Sequence, residues 1–105
     1  MNDTIAAIAT PPGQGAISVL RVSGPKTQEI MDGCFRGRTA KPRTATLGEI
    51  IDSSGNVIDQ VLLTLFQGPA SYTGEDTAEI SCHGGMLVTK SVLERLLECG
   101  ARLAE

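Results

Sequence analysis

Apolar and polar positions alternate in steps of two over several short stretches, and recur in steps of three and four over two longer ones. Ala16 to Ser23 (AISVLRVS) is rich in β-branched residues and bounded by Gly15 and Gly24, which predicts a strand. Thr4 to Ala9 is short, apolar and halted by Pro11-Pro12-Gly13, which predicts another. Ala45 to Asp52 and Val57 to Phe66 read as strands joined at Ser53-Ser54-Gly55-Asn56, a hairpin signal. In Thr77 to Cys82, Ala78, Ile80 and Cys82 share one face, while Thr77, Glu79 and Ser81 share the other. Pro25 to Cys34 reads as a helix, with Pro25 in its first turn, Ile30, Met31 and Cys34 on one stripe, and Gly33 at its end. Met86 to Cys99 reads as a second helix. Val88, Val92 and Leu96 form its stripe, flanked by Leu93 and Leu97. Lys90, Glu94, Arg95 and Glu98 lie outside that stripe, Lys90 and Glu94 spaced to pair across one turn. Gly100 caps this helix and Ala101 to Glu105 begins a further strand. The order β-β-α-β-β-β-α-(β) predicts an α+β fold with a mixed, mostly antiparallel sheet and two helices.

A chain of 105 residues supports one domain with one modest core. A net charge of -3 argues against binding nucleic acid through the overall field of the domain. Arg36, Arg38, Lys41 and Arg43 make a local basic run, read here as a solvated connection. Cys34, Cys82 and Cys99 are odd in number, far apart and outside any CxxC spacing, so a disulfide framework and a zinc ribbon are not indicated. That usage predicts a cytoplasmic protein. The start of the chain has no basic region followed by an apolar core, and no run approaches the ~20 apolar residues of a membrane helix.

The chemistry concentrates between Ser71 and Gly85 (SYTGEDTAEISCHGG). This stretch holds the single tyrosine, the single histidine and the carboxylates Glu75, Asp76 and Glu79. Glu79 stands mid-strand. It is a solvated strand residue if its face meets water; on a pocket wall it can accept two parallel hydrogen bonds from a planar donor pair. Arg21 stands inside an apolar strand, on the face of Ile17, Val19 and Ser23. A guanidinium there either reaches solvent at the strand end or meets an anion as a fork. A metal site of Glu79, Cys82 and His83 is rejected: Glu79 and His83 lie two side-chain steps apart, Cys82 faces the other way, and there is no second histidine. His83-Gly84-Gly85 offers either backbone donors for an anion at a helix start or a tight turn without a ligand. Gly24-Pro25-Lys26-Thr27 is not a phosphate-binding loop, because the proline interrupts it and the upstream glycine spacing is wrong. No nucleophile with an adjacent base is present, so the chain alone shows no complete catalytic set.

Three segments together carry a resemblance. They are DTIAAIATPPGQGAISVLRVSGP, the Asp59-Gln60-Val61 strand start, and GPASYTGEDTAEISCHGG leading into the second helix. With them the chain resembles the amino-terminal domain of the tRNA modification GTPases MnmE (TrmE) over nearly its whole length. The resemblance implies a fold like that of folate-binding aminomethyltransferase domains. It also implies a cytoplasmic, homodimeric protein working with the flavoprotein MnmG on the wobble uridine of certain tRNAs. The implied ligand is a tetrahydrofolate derivative, 5-formyl or methylene, as one-carbon donor. GTP, magnesium and potassium would belong to a GTPase domain outside this chain. The arginine of the VLRVSG strand and the last glutamate of TGED-x-x-E are folate-site residues in that family, and by position these are Arg21 and Glu79.

The residues suit this role. A pterin edge presents adjacent N–H donors that Glu79 can accept in pairs, and Arg21 has a partner in the carboxylate tail or in a carbonyl oxygen. Tyr72 stacks on the ring or packs a turn. The resemblance further implies that residues 1–105 form one truncated folate-binding and dimerisation domain, with a folate-site lysine beyond Glu105 and no GTPase activity of its own. The alternative is a dimerisation module that binds no ligand.

Overall fold

The computed structural model describes residues 3–9, 17–68, 74–83 and 85–104. Within them the chain runs β1 (Ile5–Ile8), β2 (Ile17–Ser23), α1 (Thr27–Cys34), β3 (Phe35–Gly37), β4 (Thr46–Ile51), β5 (Val57–Phe66), β6 (Thr77–His83), α2 (Met86–Glu98) and β7 (Arg102–Leu103). The strands form one sheet in the order β3-β4-β5-β6-β2-β1-β7. Every pairing is antiparallel except β1 with β7. This is the expected α+β architecture with two helices and a mixed, mostly antiparallel sheet. No described helix is long and apolar enough to cross a membrane.

Alternation decides the layering. Leu20 and Val22 of β2, Ala78, Ile80 and Cys82 of β6, and Val61, Leu63 and Leu65 of β5 all turn to one side. There they join Ile30, Met31 and Cys34 of α1 and Val92 and Leu96 of α2 in a single core. The helical stripes read from the sequence are therefore the faces that cover the sheet. Buried Thr89 adds to the second stripe through its hydroxyl, which donates to the Gly85 carbonyl one turn back. The opposite sheet face carries Ile17, Val19 and Arg21 of β2, Glu79 and Ser81 of β6, and Leu62 and Thr64 of β5, all at least partly exposed.

Several details differ from the sequence-based expectation. The basic run does not begin as a loop: Phe35–Gly37 is a short strand paired with β4, and Arg36 forks onto Glu49 with Nη2 at 2.9 Å. Its flat approach is allowed by Gly48, where a Cβ would fall 2.3 Å from the Phe35 ring. Helix α1 runs through Gly33 to Cys34 and is ended by extended Phe35. It starts later than Pro25, with Lys26 as its N-cap. Pro25 belongs to the preceding turn, where Gly24 adopts φ 143° and leaves no room for a side chain against Thr4. The ion pair on α2 is Arg95–Glu98, not Lys90–Glu94. Arg95 is inward-lying: its Nε donates to the Ile51 carbonyl at 2.7 Å and its Nη2 to the Gly33 carbonyl at 3.1 Å. One side chain thus ties α2 to the ends of β4 and α1. The hairpin holds as expected, with Asp52 accepting from the amides of Ser54 and Asn56 at 2.9 Å each. The Pro11–Gly13 stop, Tyr72 and Gly84 lie outside the described residues.

Candidate functional site

The site grows from the central pairing of β2 with β6. The register sets Leu20 against Ile80 and Val22 against Ala78, so core packing on the helix side fixes it. Arg21 and Glu79 are consequently opposite one another on the far side. The Arg21 Nη2 lies 2.8 Å and its Nε 3.2 Å from Glu79 Oε2. Both contacts of the fork fall on one oxygen, so Oε1 takes no part in it. The two side chains keep 34% and 31% of their surface exposed, which leaves the pair reachable from solvent. Both chemical options of the sequence are met in part: the guanidinium has an anion, and the carboxylate has a planar donor. They meet each other. Ala7 of β1 and Thr64 of β5 continue the same row on either side.

The ends of the two strands are held by a turn below this row. The Gly24 amide donates to the Asp76 carbonyl, and the Thr27 hydroxyl donates to the carbonyls of Gly24 and Asp76. The Asp76 carboxylate accepts the Gly68 amide at 3.0 Å. Asp76 is thus a turn builder, and Glu75 is exposed beside it.

At the other end of β6 stands a feature that the sequence did not point to. Asp59 binds His83 twice: Oδ2 accepts the His83 backbone amide at 2.8 Å, and Oδ1 lies 2.9 Å from ring Nδ1. The Asp59 side chain is 12% exposed and the imidazole 69%. His83, Ile17, Leu47, Gln60, Leu62 and Ser81 line a cavity of about 220 Å³ next to the dyad. The available signal was a carboxylate inside a strand rich in apolar residues, in the Asp59-Gln60-Val61 segment itself. Cys82 points to the core, where burial, with a smaller contribution from Asp59, pushes its thiol up to about 11.

Residues 4–105 match the family model described as GTP-binding protein TrmE N-terminus. Three curated proteins, each called tRNA modification GTPase MnmE, illustrate the likeness. The Akkermansia muciniphila protein is 59% identical over 97% of this chain and 23% of its own length. The Chloroflexus aurantiacus protein is 53% identical over 99% of this chain and 24% of its own. The Salinibacter ruber protein is 51% identical over 99% and 23%. The chain spans about a quarter of the length of these relatives. A family match over almost every residue, together with this identity, means that the chain belongs to the TrmE amino-terminal domain family.

Proposed function

We propose that this chain is the folate-binding and dimerisation domain of a cytoplasmic tRNA modification GTPase, and that Arg21 and Glu79 hold a tetrahydrofolate derivative. The observation that carries the reading is the Arg21–Glu79 fork on the sheet face opposite the helices. Two residues far apart in sequence, assigned to one ligand by the family resemblance, meet at hydrogen-bond distance and keep a third of their surface open. Tetrahydrofolate supplies a one-carbon unit when bound. The residues of this chain orient it. Glu79 accepts the paired N–H donors of the pterin edge, and Arg21 aligns the carboxylate for them. A charge-assisted pair of this kind is stronger than a neutral hydrogen bond.

In the longer protein, GTP, magnesium and potassium serve a separate GTPase domain, and the flavoprotein MnmG and tRNA are partners of the whole assembly. Dimerisation has support of its own: Ile17, Leu47 and Leu62 expose large apolar surface on the same open face.

Calorimetric titration of the chain with 5-formyltetrahydrofolate tests the ligand. Arg21→Ala and Glu79→Ala should each weaken binding by about 1.5–3 kcal/mol. Unchanged affinity in both variants removes them from the site. Light scattering tests the second role, and a strict monomer at high concentration argues against it.

A further inference from the structure

We infer that the Asp59–His83 dyad is a second anchor of the same ligand site, receiving the aryl-amide part of the ligand whose ring edge lies on Glu79. This rests on the folate reading above. Asp59 is nearly buried, and both of its oxygens are spent on His83, one on the backbone and one on the ring. A carboxylate so placed accepts a hydrogen bond from Nδ1–H, so in the neutral form of the ring the lone pair stands on Nε2. The ring nitrogen that remains for a ligand is therefore an acceptor, and it suits an amide or anilino N–H. The ring is well exposed, so a ligand can reach it.

The surroundings select what accompanies that N–H. Ile17, Leu47 and Leu62 give the neighbouring cavity an apolar floor of about 220 Å³. About 150 Å³ of apolar space is enough for one benzene ring. Glu79 and His83 stand at the middle and end of β6, four residues apart, about 13 Å along an extended strand. A tetrahydrofolate carries its pterin edge and its benzoyl amide at the two ends of a comparable span. Its benzoyl ring would lie over the apolar floor between the two polar anchors. Asp59 is a positioning residue here, acting through the imidazole.

The test uses the single histidine of the chain. Nitrogen NMR of the imidazole, at a pH where the ring is neutral, should report the Nδ1–H tautomer, and Asp59→Asn should mix the tautomers. Adding 5-formyltetrahydrofolate or p-aminobenzoylglutamate should move the Nε2 resonance, and adding a simple pterin should not. His83→Ala should weaken 5-formyltetrahydrofolate about tenfold and leave the simple pterin unaffected. Glu79→Gln should weaken both. If the folate binds the wild-type chain while His83→Ala and the Nε2 resonance are indifferent to it, the second anchor is overturned and the folate reading stands. If neither folate nor pterin binds, the folate reading falls. The p-aminobenzoylglutamate arm then decides the anchor alone, and an unmoved Nε2 resonance overturns it.

Discussion

Separating what the Arg21–Glu79 pair does for the fold from what it does for a ligand requires a double-variant cycle. Arg21→Met keeps the apolar stem and removes the guanidinium; Glu79→Gln keeps the shape and removes the charge. The fork is well formed, at 2.8 and 3.2 Å, yet both side chains are about one-third exposed. Water and salt screen such a pair, so its coupling in stability should be only about 0.5–1 kcal/mol. In a domain of this size that is a few degrees of melting temperature, since about 1 kcal/mol corresponds to roughly 4–8 °C. Urea unfolding of the wild type, both single variants and the double variant measures it. Ligand affinity should respond more strongly. Each single variant should lose about 1.5–3 kcal/mol toward 5-formyltetrahydrofolate, and the double variant less than their sum, because Arg21 acts partly through Glu79. A stability coupling above about 3 kcal/mol would refute the reasoning, for it would make the pair a buried lock of the kind that is costly to break.

Gly48→Ala sets a methyl 2.3 Å from Phe35 Cζ and 2.8 Å from the Arg36 carbonyl, so the ring or β3 must shift. About 1–3 kcal/mol of stability should be lost on urea unfolding, and an unchanged midpoint would contradict the packing. Burial, reinforced by neighbouring Cys99, pushes the Cys34 thiol from 9.0 up to about 12. Half-buried Cys99 should therefore alkylate before Cys34 in the native chain, as read by peptide mass; equal rates would contradict this. A raised thiol contributes stability that is complete below 9.0 and lost as pH climbs toward about 12, so alkaline unfolding followed by circular dichroism should ease in Cys34→Ala. The Asn56 amide, ahead of the Ser54 amide, holds the Asp52 carboxyl below its ordinary 3.8. Its contribution is present above 3.8 and fades as pH falls through the lowered value. Asp52→Ala should thus melt earlier than wild type at neutral pH and equally in strong acid.

Much of this fold is legible in the sequence because one face of the sheet is buried. The alternation of Ala78, Ile80 and Cys82 against Glu79 and Ser81 reports that burial directly, while Thr77 at the strand start is buried against the turn. Strand β3 escapes such reading. Three residues next to a helix offer no period, and Arg36 looks like a loop residue until Glu49 is beside it. Arg95 looks exterior by helical phase, but its long side chain bends inward to two carbonyls. The members of the candidate site, Arg21 and Glu79, can be picked out one at a time. Their contact cannot, since strand order is not written in either strand's own pattern. The pairing of Asp59 with His83 is hidden for the same reason: the two lie on different strands.

The placement of β2 beside β6 also has a kinetic meaning. Arg21 and Glu79 are 58 residues apart, whereas β4 and β5 are joined by a tight hairpin. At about 5–20 residues per second, a ribosome delivers β6 some 3–12 s after β2. Through that interval Leu20 and Val22 have no strand to pair with on that side, and the hairpin forms first because its loop is short. On the proposed reading, ligand competence is then a late event in the life of the nascent chain. A pulse of labelled folate during synthesis would time the closing of the sheet.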